Sequence, residues 1–431
     1  MRIVVWGINY APEKIGIAPC NVALCEFLAG KKHEVTMLTS FAYYPGWKKR
    51  KEDSSKIFKT EVINGVRVAR CWHYVPTNLS TAKRILHELS FVAFSFLRAL
   101  CLPRPDLWIV VSPPLLTALA ARAISRFKGG RYLLHLQDLQ PDAAIHLGMI
   151  RSAVLIQLLR VAESVGYRGA RRISVITSGM AELLAKRGVP GNKLILFPNG
   201  TYSSVETGKG AFRREKGIEQ QGFLAIYSGN LGVKQGLQHV IESVRYVRDQ
   251  SFGLVICGEG AEKAKLLELA GGMANIHFSA LRETDDYQKM LTDADLMIVS
   301  LASNSGNSFF PSKLFSACAA GKPIVAICDP DSELGCLVDQ TGCGVVVPFG
   351  DSKNLAATFD DLAQNRTRLK SMGCAARQLS EDYRWESLLE KFACDAGIEN
   401  SAGRSSGVTE VQRKNSPPRR RGREGERGRP G

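Results

Sequence analysis

An α/β architecture of two doubly wound parallel-sheet units follows from three observations. Short apolar runs rich in β-branched residues alternate with longer helical stretches along the chain. The alternation occurs twice, with a polar, glycine-containing seam between the two series. The length of 431 residues is too great for one ordinary core, so two units of about 150–200 residues each are expected.

The first series of strands reads RIVVWGI, HEVTMLT, VRVARC, DLWIVVS, RYLLHLQ, RISVIT and KLILFP. Helical stretches such as NVALCEFLAGKK and LLTALAARAISRF separate them. The seam is TYSSVETGKGAFRREKG, directly after Asn199-Gly200. The second series reads FLAIYSG, GLVICGEG, NIHFSA, DLMIVSLA, KPIVAIC and CGVVVPFG. The expected division is residues 1–203, residues 204–395 with a last helix able to pack back on the first unit, and a disordered basic tail over 396–431. Open α/β sheets bind ligands at the carboxyl ends of their strands, so the site is expected in the cleft between the units.

Composition narrows the class. The chain is 45% hydrophobic and 23% charged, which fits a soluble globular protein. None of the 11 cysteines forms a C-x-x-C pair. Cys257, Cys318 and Cys328 lie in apolar runs, as small core residues do in a reducing compartment. The start, MRIVVWGINYAPE, reads as a buried strand entering a loop rather than a signal peptide. No run of about 20 apolar residues is present to span a bilayer. Of the net charge of +16, nine basic residues against three glutamates fall in the last 31 residues. That tail is a solvated appendage or a contact for anionic lipid or nucleic acid. Residues Arg84–Cys101 form an apolar helix with basic ends, which is either a cleft wall or a helix lying on a bilayer surface. The loop FAYYPGWKKRK mixes aromatics and cations, as an interfacial loop or an ordinary exposed one would.

Three segments of the second series carry phosphate-binding chemistry. YSGNLGVKQGL lies between a strand and a helix. Gly229 and Gly232 permit close backbone approach, and Lys234 stands where a phosphate needs a cation. VICGEG places Gly258, Glu259 and Gly260 at the end of the next strand. In SNSGNSFFPSKLFSACAAGKPIVA, Pro311 suits a first helical turn. Ser312 and Lys313 then sit at a helix N-terminus that attracts anions, with Ser316 one turn further. Glu333 in DSELG either accepts from a ribose or sugar hydroxyl or caps a helix.

These segments resemble the retaining glycosyltransferases of family 4, with the two-domain B fold (GT-B), over about residues 1–395. GINYAPEKIGIA, YYPGW, VSPPLL, HLQDLQPDAAIHLG, YSGNLGVKQGL, FPSKLF and ELGCLVDQTGCGVVVPFGD are similar to the branch of colanic acid, exopolysaccharide and O-antigen biosynthesis. The resemblance implies an acceptor-binding first domain and a second domain for a nucleotide diphosphate-sugar, with no other cofactor. It implies that Asp138, Lys234 and Lys313 act at the reacting centre. Donor contacts would come from Gly229, Asn230, Gly258, Glu259, Gly260, Ser308, Ser312, Ser316 and Glu333, and acceptor contacts from Gly16, His135 and Gln137. The chain departs from the wider family at several of these positions. Ser308 and Ser316 stand for two glutamates, Asn230 for an arginine, Gln137 for the histidine of an H-D pair, and Ala18 for a glycine of the first loop. His135 lies two residues before Gln137 and so shares its strand face.

The implied reaction moves a hexosyl-type sugar to a hydroxyl of a saccharide, built on a lipid carrier at the inner, cytoplasmic face of the membrane. Binding there would be peripheral. No metal is expected. The paired aspartates Asp293 and Asp295 imitate the metal-binding pair of the other main glycosyltransferase fold, but Asp295 opens a buried strand. A nucleotide-sugar 2-epimerase of similar fold is the enzymatic rival. A nicotinamide dehydrogenase would need G-x-G-x-x-G after the first strand, where G-I-N-Y-A-P stands. A basic nucleic-acid-binding protein would need a recognisable module, and none is present, so no specific nucleic-acid partner is expected.

Overall fold

The computed structural model describes residues 1–78, 80–140, 142, 145, 152–202, 208–281, 284–303 and 313–398. The expected tail over 396–431 falls, from residue 399 on, outside the described residues.

The first series contains β1 Arg2–Trp6, α1 Ala18–Gly30, β2 Glu34–Ser40, β3 Phe58–Ile63, β4 Val66–Cys71, α2 Thr81–Cys101 and β5 Leu107–Ser112. It continues with α3 Thr117–Lys128, β6 Arg131–Leu136, α4 Ala153–Gly169, β7 Arg172–Val175, α5 Ser178–Lys186 and β8 Leu194–Leu196. The sheet order is β3-β4-β2-β1-β5-β6-β7-β8. All its pairs are parallel except β3–β4. That antiparallel edge corrects the expectation of a wholly parallel sheet. FKTEVI has no apolar run because neither of its faces is buried. Its signal was the Asn64-Gly65 pair, both at positive φ (49° and 79°), which closes a two-residue hairpin turn.

The second series contains α6 Ala211–Lys216, β9 Leu224–Ser228, α7 Gln238–Val244, β10 Gly253–Cys257, α8 Lys263–Ala270, β11 Ile276–Ser279, α9 Thr284–Asp293 and β12 Leu296–Ser300. It ends with α10 Lys313–Ala319, β13 Ile324–Ile327, α11 Glu333–Thr341, β14 Gly344–Val347, α12 Ser352–Gln364, α13 Arg366–Asp382 and α14 Trp385–Ala396. This sheet is parallel throughout, in the order β11-β10-β9-β12-β13-β14.

Each sheet is covered on both faces, which is why its strands read as unbroken apolar runs. Trp6, Trp108 and Leu134 face α2, α3, α4 and α5, whereas Ile3, Val5 and Ile109 face α1 and α14. Helix α14 therefore belongs to the core of the first sheet although it is last in the chain. Phe392 stacks on Phe197 with ring centroids 4.3 Å apart. Thr201 and Arg384, where the chain leaves and re-enters this sheet's territory, form a parallel bridge. A Cβ on Gly200 would lie 2.6 Å from the Trp385 ring, so only glycine permits that crossing.

Helix α2 is capped by the Ser80 hydroxyl, which accepts from the Lys83 N–H at 3.4 Å. Its buried face is a narrow stripe of His87, Phe91, Ser95 and Ala99. Ile85, Leu86, Leu89, Leu97 and Leu100 face outward. On α4, Val154, Leu158 and Val161 are exposed as well. The loop from Phe41 to Lys51 differs from the expected aromatic-basic surface. Phe41 and Tyr43 are buried, Trp47 packs on Tyr43 and His87, and Lys49 lies over Trp72. Tyr44, Lys48, Arg50 and Lys51 remain outside.

Candidate active site

In the second sheet the strand order reverses between β9 and β12, which opens a crevice at their carboxyl ends. Lys234 lies in the turn after β9, at that crevice. Its carbonyl accepts from the Ala302 N–H at 2.7 Å, and the Gln235 carbonyl accepts from the Ser300 hydroxyl at 2.6 Å, both from the segment leaving β12. The Asn230 amide points to Gln235 at 3.4 Å, so it works within the turn.

The glycines of this region serve the fold in a way the sequence did not disclose. Gly258 and Gly260, expected among the donor contacts, also pack the two loops closely: a Cβ on Gly258 would strike the Gly229 carbonyl, and one on Gly260 the Leu231 backbone. Backbone hydrogen bonds zip the two loops together: Gly229 N–H to the Cys257 carbonyl at 3.0 Å and Leu231 N–H to the Glu259 carbonyl at 2.9 Å. The Glu259 carboxylate is exposed and paired with Lys263 at 2.7 Å.

Lys313 opens α10, and its ammonium rests over the Tyr287 ring, 4.3 Å from the centroid. Burial lowers its pKa. Ser316 faces the same tyrosine. Ser308 and Ser312, with Pro311, lie outside the described residues.

On the first sheet, the turn after β6 carries Asp138 and is held on both sides. The Gln137 and Asn199 amides bond reciprocally at 2.8 and 2.9 Å, and the Gln137 N–H donates to the Ser112 carbonyl at 2.9 Å. His135, expected on the acceptor side, is fully buried. It touches Ser174 at 2.9 Å and Gln137 at 2.7 Å, so it supports Gln137 from below. Burial pushes its imidazole down to about 3. Two residues past Asp138, Gln140 accepts from the Leu115 N–H at 2.5 Å and donates to Glu88 at 2.8 Å. Asp142 receives Arg160 and Arg187 in bidentate fashion, at 2.6–2.9 Å, which holds its carboxyl down at about 2 despite burial. Burial pushes the Asp138 carboxyl up, while Lys234, from the other sheet, pulls it down. The Lys234 charge is therefore near enough to act on the Asp138 carboxyl.

Gly16 adopts a φ of 71°, and the Tyr44 ring is 3.4 Å from where its Cβ would be. Glu13, which the sequence reading passed over, accepts from the Tyr43 and Tyr44 N–H groups, each at 2.8 Å, and from Asn9 at 2.9 Å. It folds the loop after β2 over the carboxyl ends of the strands. Glu88, Gln140 and Asn199 were also missed. Their partners lie between 25 and 62 residues away in the chain, beyond the reach of any local pattern.

Glu333 caps a helix, but in the other unit. It accepts from the Ser178 N–H at 2.9 Å, the Ser178 hydroxyl at 3.0 Å and the Gly179 N–H at 3.1 Å, at the start of α5. Its own helix is capped by Ser332, whose hydroxyl accepts from the Gly335 N–H at 3.1 Å. The aspartate pair is committed to structure. Asp293 accepts from the Gly210, Phe212 and Arg213 N–H groups, and Asp295 binds Arg213 at 2.7 Å and Arg366 at 3.0 Å. Among the described residues no three His, Cys, Asp or Glu side chains are grouped to hold a metal ion.

Two doubly wound, helix-covered sheets are the architecture of the GT-B fold. Residues 16–200 match the glycosyl transferase 4-like domain and residues 208–379 match the glycosyl transferases group 1 domain. The chain belongs to this glycosyltransferase family. It is 33% identical, over 80% of its length and 88% of the relative's, to the glycosyl transferase WcaI of Escherichia coli (strain K12), named for colanic acid biosynthesis. Among solved structures, the fold is similar to sucrose-phosphate synthase of Thermosynechococcus elongatus, with a TM-score of 0.72 and 15% identity over 92% of this chain and 98% of that one. It is also similar to Anabaena HepE in complex with UDP, with a TM-score of 0.66 and 15% identity over 93% and 100%.

Proposed function

We propose that this enzyme transfers a sugar, with retention, from a nucleotide diphosphate to a hydroxyl of a lipid-linked saccharide in surface polysaccharide assembly. The observation that supports this reading is that the Lys234 charge of the second sheet acts on the Asp138 carboxyl of the first. Residues 204–395 take the donor and residues 1–203 take the acceptor. The relative named for colanic acid biosynthesis supports the pathway, and the neighbour solved with UDP makes a uridine donor the first to try.

The difficult step is departure of the diphosphate, whose developing charge needs donors fixed in advance. Lys234 supplies one cation at the crevice of the second sheet, and Lys313 a second at the start of α10. Ser316 is a further donor contact in this reading, as are Ser308 and Ser312, which lie outside the described residues; Asn230 shapes the turn that receives the diphosphate, and Glu333 takes a donor hydroxyl when it leaves Ser178. Asp138 orients the acceptor hydroxyl, supported by Gln137, and the leaving phosphate takes its proton. Gly16 gives the acceptor its approach over Tyr44. The transfer is metal-independent in this reading, since Asp293 and Asp295 are engaged by amides and arginines.

The enzyme works at the inner face of the cytoplasmic membrane, bound peripherally and with no specific nucleic-acid partner. Among the described residues no helix is long and apolar enough to cross a membrane. The outward leucines of α2 and the outward valines and leucine of α4 support surface binding.

The test is a thermal-shift panel of UDP, GDP, ADP and TDP with their sugars, followed by transfer to a lipid-linked saccharide with and without EDTA. One nucleotide series should raise the melting temperature, and transfer should survive chelation. No shift from any nucleotide would defeat the reading.

A further inference from the structure

The turn that carries Asp138 is anchored through three side chains, and the middle one, Gln140, reaches a carboxyl on another element. Gln137 is held by Asn199, and Asp142 by Arg160 and Arg187. Between them Gln140 spans two elements: its amide oxygen accepts from the Leu115 N–H of the β5–α3 turn, and its amide nitrogen donates to Glu88 on α2. We propose that Glu88 is a positioning residue for the transfer, fixing through Gln140 the turn that presents Asp138 to the reacting sugar. The inference rests on the reading of Asp138 given above.

Glu88 is half-buried at the edge of the buried stripe of α2, one turn after exposed Arg84 and beside buried His87. Among the described residues the polar groups that act on it are Arg84 of its own helix, Gln140 from the turn after β6, and Tyr43 from the loop after β2. Tyr43 in turn contacts His87 at 3.1 Å. Burial pushes the Glu88 carboxyl up to about 7, against the opposing pull of Gln140 and Arg84. The carboxyl therefore changes charge in the working range. Ionised, it accepts from the Gln140 amide as a charge-assisted partner and holds the turn more firmly; protonated, it holds the turn as a neutral group. A fold-only role would have been filled as well by an uncharged side chain, without desolvating a carboxyl.

Two variants separate the cases. Glu88→Gln keeps an oxygen for the Gln140 amide and removes the titration. Glu88→Leu keeps the volume and removes the bond. Turnover is followed as nucleoside diphosphate release from whichever UDP-, GDP-, ADP- or TDP-linked sugar the wild-type enzyme consumes. Hydrogen exchange of the 137–140 amides reads the turn without any substrate. Wild-type kcat should rise with pH through about 7, and Glu88→Gln should lack that rise while keeping most of the turnover. Glu88→Leu should lower kcat on the order of ten- to a hundredfold, leave the donor KM unchanged, and speed exchange of those amides. An unaltered pH profile in Glu88→Gln, or unchanged exchange at 137–140 in Glu88→Leu, overturns the proposal. An Asp138→Asn arm separates the two levels. Wild-type turnover there defeats the reading of Asp138, whereas an inactive Asp138→Asn beside a fully active Glu88→Leu defeats only the role of Glu88.

Discussion

The Glu333 carboxylate caps the start of α5 in the opposite half of the enzyme, accepting from the Ser178 N–H at 2.9 Å and its hydroxyl at 3.0 Å. The N-terminal N–H groups of a helix have no partners within it, and its dipole favours an anion there. One side chain of the second series thus joins it to the first. The pair is solvent-exposed, so Glu333→Ala should cost only about 0.5–1 kcal/mol of stability. Urea unfolding of wild type and variant reads this directly, and identical midpoints would mean that the contact contributes nothing.

The two glycine loops give a sharper stability prediction. Gly260→Ala places a methyl group against the Leu231 backbone, which cannot rotate aside. Overpacking of this kind costs about 1–3 kcal/mol. Gly191→Ala meets nothing within 4 Å and serves as the control. Calorimetry should show a lower melting temperature for the first variant only.

Acid sensitivity follows from His135. The folded protein keeps this imidazole neutral down to about pH 3, whereas the unfolded chain takes up a proton near pH 6.5. A base whose folded pKa is depressed loses stability as pH falls below the unfolded value. From pH 7 to pH 5 the loss should reach up to about 2 kcal/mol. His135→Gln removes that share of the slope, as urea titrations at the two pH values will register. An unchanged slope would show that the ring is hydrated or already charged.

If the proposed membrane contact is made through the outward apolar residues of α2 and α4, it can be tested by substitution. In a chain ending at residue 400, binding to anionic vesicles at low salt should be strong and should weaken as salt screens the cations. Leu97→Glu together with Leu158→Glu should abolish it. Sedimentation with vesicles decides, and retention by the double variant would place the contact elsewhere.

The fold was legible wherever burial imposes composition. Strands such as DLWIVVS and DLMIVSL are covered on both faces, so their apolar runs were plain. β3 was overlooked because an edge strand with no buried face carries no such run, and only Asn64-Gly65 betrayed it. The turn around Lys234 could be read as a strand-to-helix connection because strand, glycine turn and helix are contiguous. The polar network under Asp138 could not, because Glu88, Gln140 and Asn199 are brought together by sheet order. Gly258 and Gly260 stood out as a strand-end pattern, but the contact with the loop after β9 that requires them joins two separate βα turns and could not be read locally.

The central claim is that Lys234 stabilises the departing diphosphate opposite Asp138, and one measurement tests it most directly. It is kcat/KM of Lys234→Ala, with the donor identified by thermal shift and the fold checked by melting. Loss of one prearranged charge should remove about 2–4 kcal/mol of transition-state stabilisation, a fall of roughly 30- to 1,000-fold. A folded Lys234→Ala enzyme that turns over at close to the wild-type rate would contradict the account.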